Sequence, residues 1–234
     1  MQSDSNSSSD FAPNQDDPKA RKLLIPPSVR RKFFLQFTFM TLVGWVVGGI
    51  ASRAGDYILL TYFSNIVFAV IFSADQALVL RRYVSPWLWM LATSFGWLIS
   101  DRVKEAWINY IQTIAASLNR TLSFEEIFIL SVLSTLAYIL SGIWLGLFQW
   151  MVLRRYVAGA WWWNFLPSIS FFFISILVGL LSFGQNFIPE VNRTQILYWS
   201  GQGLTALILG VVPAIGLCTL KMNPRRITEI SSSS

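Results

Sequence analysis

Long apolar runs separated by short polar corners set the pattern along this chain of 234 residues. A helix rises about 1.5 Å per residue and a bilayer core is about 30 Å thick, so about 20 apolar residues suffice for a span. Five runs approach or exceed that length and the third is shorter: 33–51, 57–80, 86–99, 124–153, 161–183 and 196–220. The pattern therefore predicts an all-α bundle of six transmembrane helices within residues 29–221.

Polar segments flank the predicted bundle at both ends. Residues 1–28 are dominated by Ser, Asn, Asp and Gln and by basic residues, which predicts a disordered cytoplasmic tail. Residues 222–234 form the second predicted cytoplasmic tail. Between the third and fourth runs, residues 102–119 carry apolar side chains at helical spacing, which predicts an interfacial amphipathic helix on the outer side. A membrane-surface connector explains this helix sufficiently; a partner-docking helix or a lid is the functional alternative.

Local signals refine three of the helices. Ser123 followed by Glu126 is a capping-box pattern, which predicts that the fourth helix starts just after Ser123. Pro167 and Pro213 fall inside the fifth and sixth runs and predict kinks there.

Composition narrows the class of protein. Hydrophobic residues make up 54% of the chain and charged residues 13%, with a mean hydropathy of +0.52. These values exclude a water-soluble globule of this length. The chain has no histidine and one cysteine, Cys218, which argues against a Cys-ligated metal site and removes the commonest general base. We therefore expect a non-enzymatic protein with no cofactor and no metal.

The formal charge of +6 does not indicate a nucleic-acid partner, because the basic residues cluster at the ends of apolar runs and form no basic face. Thirteen of the 18 lysines and arginines fall on one side of the predicted bundle, among them Arg81, Arg82, Arg154 and Arg155. The positive-inside rule then places both termini in the cytoplasm.

A helix-to-helix corner occurs twice. Gln149-Trp150-Met151-Val152-Leu153-Arg154-Arg155-Tyr156-Val157 follows Gln76-Ala77-Leu78-Val79-Leu80-Arg81-Arg82-Tyr83-Val84 at an offset of 73 positions. The first helix joins the set, because Thr41-Leu42-Val43-Gly44-Trp45 resembles Thr93-Ser94-Phe95-Gly96-Trp97. The copies predict three hairpins related by an axis along the membrane normal, with the third hairpin split between the two ends of the bundle.

This corner, followed by Trp161-Trp162-Trp163 and, in the earlier copy, by Gly96-Trp97, resembles uncharacterised multi-span membrane proteins of cyanobacteria and some other bacteria. The resemblance covers roughly residues 33–221. It implies a helical bundle built from repeats in a bacterial inner or thylakoid membrane. It implies no activity.

Polar residues within or beside the spans are the candidate site residues. Asp75 is the only acid inside a predicted span. One interpretation is an ion pair between Asp75 and Arg154 or Arg155 that fixes neighbouring hairpins; the other is a proton or cation site on a transport path. Arg81 is a further candidate, and Gln76 and Gln149 are expected to form hydrogen bonds between helices.

Small residues and tryptophans complete the candidate set. Small residues recur at intervals of four, which lets helices approach closely within lipid: Gly44 and Gly48, Gly142 and Gly146, and Ala206, Gly210 and Ala214. We favour contacts within the chain over homodimerisation. The tryptophans at the basic corners predict an interfacial belt, with a pigment or quinone platform as the alternative: Trp87, Trp89, Trp150, Trp161, Trp162 and Trp163.

Three function classes follow from these observations. The favoured hypothesis is a non-enzymatic protein for assembly, anchoring or scaffolding, whose partners are the lipid bilayer and other membrane proteins, because no catalytic constellation is present. The second is a small-solute or ion transporter or channel that uses Asp75. The third, a membrane enzyme, lacks paired carboxylates inside the membrane.

Overall fold

The computed structural model describes residues 23–58, 61–117, 123–185 and 188–223. These residues form six α-helices and no β-strand, which confirms the all-α prediction. The helices are α1 (Arg30–Ile58), α2 (Thr61–Leu80), α3 (Pro86–Ser117), α4 (Phe124–Leu153), α5 (Leu166–Gly184) and α6 (Glu190–Thr219). Short 3-10 turns, Pro27–Val29 and Trp161–Phe165, precede α1 and α5.

The helices pack in chain order, and α6 returns to pack against α1. Five of the six are long and apolar enough to cross a membrane, so the protein is a multi-pass membrane protein. The exception is α3, in which Asp101, Arg102, Lys104 and Glu105 follow closely on the apolar segment.

The separate interfacial helix expected at residues 102–119 is wrong. Residues 102–117 continue α3 without a break, and 118–122 lie outside the described residues. Neither proline nor glycine occurs between Ile99 and Ser117, so nothing in the sequence ends the helix there. The charges that suggested a boundary pair along the helix instead, since Lys104 lies 2.5 Å from Asp101 and Arg102 lies 2.9 Å from Glu105.

The expected start of α4 is confirmed. The Ser123 hydroxyl accepts from the backbone N–H of Glu126, and the Glu126 carboxylate accepts from the N–H of Ser123. Pro213 lies inside α6 as expected. Pro167 lies in the first turn of α5 and not in its interior, because Trp161–Phe165 is a 3-10 turn and α5 begins at Leu166. Proline is well suited to a first helical turn, where its missing N–H leaves no bond unmade.

Backbone hydrogen bonds join the segments just before α1 and just after α6. They lie at the end of the bundle where α1 begins and α2, α4 and α6 finish, which we call the basic end. The N–H of Leu24 donates to the carbonyl of Leu220 at 2.8 Å, and the N–H of Ala158 donates to the carbonyl of Lys221 at 3.1 Å. Gly159 has φ 69°, a left-handed conformation that turns the chain between α4 and α5.

The boundary of the N-terminal tail therefore needs correction. We expected the tail to extend to residue 28, but Leu24 and Ile25 are buried at 4% and 0% exposure. Both side chains are apolar, and packing them under the helices removes that surface from water. The rest of the expected tail, residues 1–22, lies outside the described residues. So do residues 224–234 of the second tail.

The basic end is filled by a large apolar cluster. Trp89 and Trp163 are fully buried in it, with ring centroids 6.2 Å apart, together with Leu80, Leu153 and Leu217. The belt prediction is therefore wrong for Trp89 and Trp163, because both rings point between helices rather than toward the membrane surface. The exposed members of the predicted belt include Trp87 and Trp161.

Candidate functional site

The interior of the bundle contains an aromatic cluster to which five helices contribute. Trp45 of α1 and Trp97 of α3 meet edge to face with centroids 5.9 Å apart. Phe72 of α2 packs on both. Phe171 of α5 lies 6.3 Å from Trp97 and is stacked on Tyr138 of α4 at 4.8 Å. Such contacts contribute beyond their buried area, so the cluster holds the helices together.

The sixth helix joins the cluster through a hydrogen bond. The indole N–H of Trp45 donates to the side-chain oxygen of Gln202 at 2.7 Å. Beside the cluster lies a cavity of about 170 Å³, which Ser100, Asp101 and Lys104 also line. The charged groups of this cavity are the Asp101–Lys104 pair, so its charge is locally balanced.

Gln149 links three elements near the basic end. Its carbonyl oxygen accepts from the indole N–H of Trp163 at 3.0 Å, and its amide donates to the hydroxyl of Thr93 at 3.3 Å. All three residues are buried. The sequence indicated Gln149 as an interhelical residue but not these partners. Thr93 was visible only as part of the Thr-x-x-Gly-Trp similarity, and Trp163 as one of several corner tryptophans.

The earlier copy of the corner has the same residue types without the same bonds. Gln76 is buried, with 3% of its surface exposed. The Thr41 hydroxyl, which corresponds in sequence to that of Thr93, and the Trp89 indole N–H are buried and have no hydrogen-bond partner among the described residues. The hydrogen bonds of Gln149 are therefore not reproduced at the first corner.

Asp75 is half-buried in α2 and faces α1. A methyl group added at Gly44 would lie 2.6 Å from a carboxylate oxygen of Asp75, so the two helices touch here. Asp75 forms no ion pair within the described part of the chain. The expected pair with Arg154 or Arg155 is therefore wrong. The carboxylate points toward α1, whereas the Arg154 guanidinium lies over the ring of Trp150, 5.3 Å from its centroid.

Arg81, Arg82 and Arg155 are exposed at the basic end. Arg81 and Arg82 line a cleft between the beginning of α1 and the end of α2, which Lys32 also lines. The two basic corners therefore differ in their contacts. At the second corner an arginine is stacked on the tryptophan of the same corner, and at the first corner both arginines line a cleft.

The small residues lie where helices cross most closely. A Cβ at Gly142 would fall 2.7 Å from the backbone nitrogen of Ser168, and one at Gly146 would overlap the carbonyl oxygen of Asn164, both on the α5 side. A Cβ at Gly210 of α6 would fall 2.9 Å from Cα of Thr38 in α1. Gly48 faces α2, and Ala206 and Ala214 are fully buried in α6. These small residues serve contacts within the chain.

The chain matches no protein-family model, no curated protein and no solved structure. Its function therefore has to be inferred from the arrangement of its own residues. Among the described residues, no group of three or more His, Cys, Asp or Glu side chains is placed to hold a metal ion.

Proposed function

We propose that the protein is a non-enzymatic membrane protein that assembles with or anchors other membrane proteins. The observation that supports this most directly is the use of its interior. Aromatic rings fill the middle, apolar side chains fill the basic end, and Gln149, Ser73 and Ser100 form buried hydrogen bonds between helices. Such an interior serves cohesion, and function then falls to the outer surface.

The outer surface most available to a partner is that of α4. Only 17% of the residues in its most apolar 18-residue segment are buried, against 28% to 39% in the corresponding segments of the other four candidate membrane-spanning helices. Phe128, Val132 and Leu136 follow one another at intervals of four residues and form an exposed ridge along one side of α4. Helices associate in lipid by packing such ridges against a partner's groove, so we propose a transmembrane helix of another protein as the occupant.

Site-specific photocrosslinking in native membranes tests this proposal. A photoreactive residue at Val132 should give a discrete protein adduct, whereas one at Ile176, an equally apolar and exposed position on α5, should give lipid adducts. The adduct identified by mass spectrometry should also co-purify with the untreated protein in mild detergent. Lipid adducts alone at both positions would remove the support for a docking face on α4.

Asp75 favours transport as the second candidate function. Its carboxylate lies inside a membrane-spanning helix without an ion pair among the described residues, and intramembrane acids often mark ion pathways. Asp75→Asn distinguishes the two proposals. On the assembly proposal the substitution removes an uncompensated charge, so the melting temperature in detergent should stay the same or rise. The free energy of unfolding should increase by up to about 2 kcal/mol, and ion flux in proteoliposomes should be unchanged. Loss of flux with unchanged stability would favour the transporter.

The distribution of basic residues supports a cytoplasmic location for the basic end. The resemblance of the repeated corner to bacterial membrane proteins is the support for a bacterial inner or thylakoid membrane. Reporters fused after Arg82 and Arg155 should therefore read cytoplasmic, and those after Gly55 and Arg193 exterior. An exterior signal after Arg155 would contradict this orientation.

A further inference from the structure

The cleft between α1 and α2 at the basic end has the volume of a ligand site. It measures about 590 Å³, within the range of small-molecule pockets. Lys32 forms part of one wall, and Arg81 and Arg82 form part of the other. No Asp or Glu lines it, and none of the three cations forms an ion pair within the described residues. The cleft therefore presents net positive charge to an incoming group.

Both walls change from charged to apolar along the helix axes. On α1, Lys32, Gln36 and Phe39 follow one another on the same side, and Phe39 lies about 10 Å from Lys32 at 1.5 Å per residue. On the other wall, Leu78 of α2 precedes Arg82, in the turn after α2, by four residues. The most apolar part of α2 ends at Leu80, so the cations lie at the membrane surface and the apolar walls lie deeper.

Two aromatic residues stabilise the cleft. Tyr83 contacts Phe33 edge to face, with ring centroids 5.6 Å apart and planes at 90°. Phe33 is buried, so Tyr83 links the end of α2 to the core beneath α1. The side of the cleft nearest the membrane surface is thus fixed by packing.

We infer that this cleft binds one anionic phospholipid, with the phosphate near Lys32, Arg81 and Arg82 and the upper part of an acyl chain along Phe39, Met40 and Leu78. Basic pockets between transmembrane helices bind anionic headgroups because each cation attracts the phosphate while the apolar walls match the chain. A zwitterionic lipid carries no net negative charge to match three cations. This inference is independent of the assembly proposal.

The duplicated corner supplies a matched control. Arg154 and Arg155 follow the same Val-Leu sequence as Arg81 and Arg82 and are likewise exposed. Arg154, however, lies over Trp150, and neither Arg154 nor Arg155 lines the α1–α2 cleft. Replacing either arginine pair removes the same charge from the basic end, but only one pair belongs to the cleft.

Native mass spectrometry of the purified full chain, titrated with dioleoylphosphatidylglycerol, tests the inference. The R81Q/R82Q variant should bind the lipid roughly 25-fold more weakly than the unaltered protein, about 2 kcal/mol at 1.4 kcal/mol per tenfold, because each basic residue near the surface contributes about 1 kcal/mol. The R154Q/R155Q variant should bind it as the unaltered protein does. Dioleoylphosphatidylcholine should bind weakly to all three.

Three results would overturn the inference: equal binding of the two lipids, equal weakening in both variants, or displacement of phosphatidylglycerol by millimolar inorganic phosphate. The last result would assign the cleft to a free anion. Melting temperatures without added lipid show whether the R81Q/R82Q variant is folded. If it is not, the single variants R82Q and R155Q decide, with about fivefold weakening expected for R82Q alone.

Discussion

Single small residues determine how closely the helices approach. At Gly146 the space for a side chain is taken by a backbone carbonyl of Asn164, and at Gly142 by the backbone of Ser168. A backbone cannot rotate away as a side chain can, so these positions tolerate only hydrogen. Gly179 lies on α5 with nothing within 4 Å of its missing Cβ.

Alanine at these positions should therefore act in opposite directions. Gly142→Ala and Gly146→Ala should each destabilise the protein by about 1 to 3 kcal/mol or more, because α4 and α5 must separate. Gly179→Ala should be neutral or stabilising by up to about 1 kcal/mol, because alanine is the better helix former. Thermal unfolding in detergent measures both. Equal melting temperatures for Gly142→Ala and Gly179→Ala would contradict the close contact of α4 with α5.

The sequence identifies candidate interhelical residues more readily than it identifies their contact partners. Gln149 was identified from its place in the duplicated corner, but its contacts with Thr93 and Trp163 depend on which faces of three elements meet. Helical spacing defines a face and not the neighbour opposite. The expected partner of Asp75 was wrong for the same reason, because the rotation of α2 turns the carboxylate toward Gly44.

At the scale of helices, the sequence predicted boundaries well where a chemical signal ends or begins the helix. The bounds of α4 agree with the expected 124–153, because the capping box marks its start and the arginine corner its end. The expected boundary near residue 100 of α3 is wrong, because charged residues do not by themselves end a helix. A helix can extend out of the lipid into water where its residues become charged. The i,i+3 ion pairs along α3 favour its continuation.

Continuity of α3 predicts a distance. Spin labels at Leu91 and Asn109 are 18 residues apart, which gives a Cα separation of about 27 Å in an unbroken helix. Labels at Leu133 and Met151 have the same spacing within α4 and serve as the control. Pulsed electron paramagnetic resonance in nanodiscs should give matching distributions for the two pairs. A shorter and broader distribution for the α3 pair alone would indicate a break near residue 100.

At the scale of the whole molecule, six helices and their all-α class followed from the apolar runs, since a membrane requires each span to satisfy its own backbone bonds. The first and last helices meet, because α6 packs against α1 with Gly210 against Thr38. A hairpin split between the two ends of the bundle requires this contact. Whether the hairpins are repeats stays a prediction, which superposition of α2–α3 on α4–α5 would test. The backbone contact of Leu24 was not predicted, because it lies in a segment otherwise rich in charge and proline.

The meeting of the two ends can be tested by a disulfide. Leu23 and Lys221 form an antiparallel bridge, in which Cα atoms are about 4.5 to 5.5 Å apart, a span that a disulfide fits. In a Cys218→Ser background, the Leu23→Cys/Lys221→Cys pair should oxidise readily within one chain, whereas Leu23→Cys/Arg102→Cys should not. Intact-mass measurement after alkylation reports the bond. Failure of the first pair to oxidise would contradict closure at the basic end.

Closure between α1 and α6 also orders events during synthesis. α1 enters the bilayer first of the six helices and α6 last, so the seam between them stays open until the other helices have been inserted. Throughout that interval the surface around Thr38, which Gly210 finally covers, faces lipid or the insertion machinery. A nascent chain halted after α5 would leave this surface of α1 uncovered. Membrane quality-control proteases would then encounter an incompletely packed bundle.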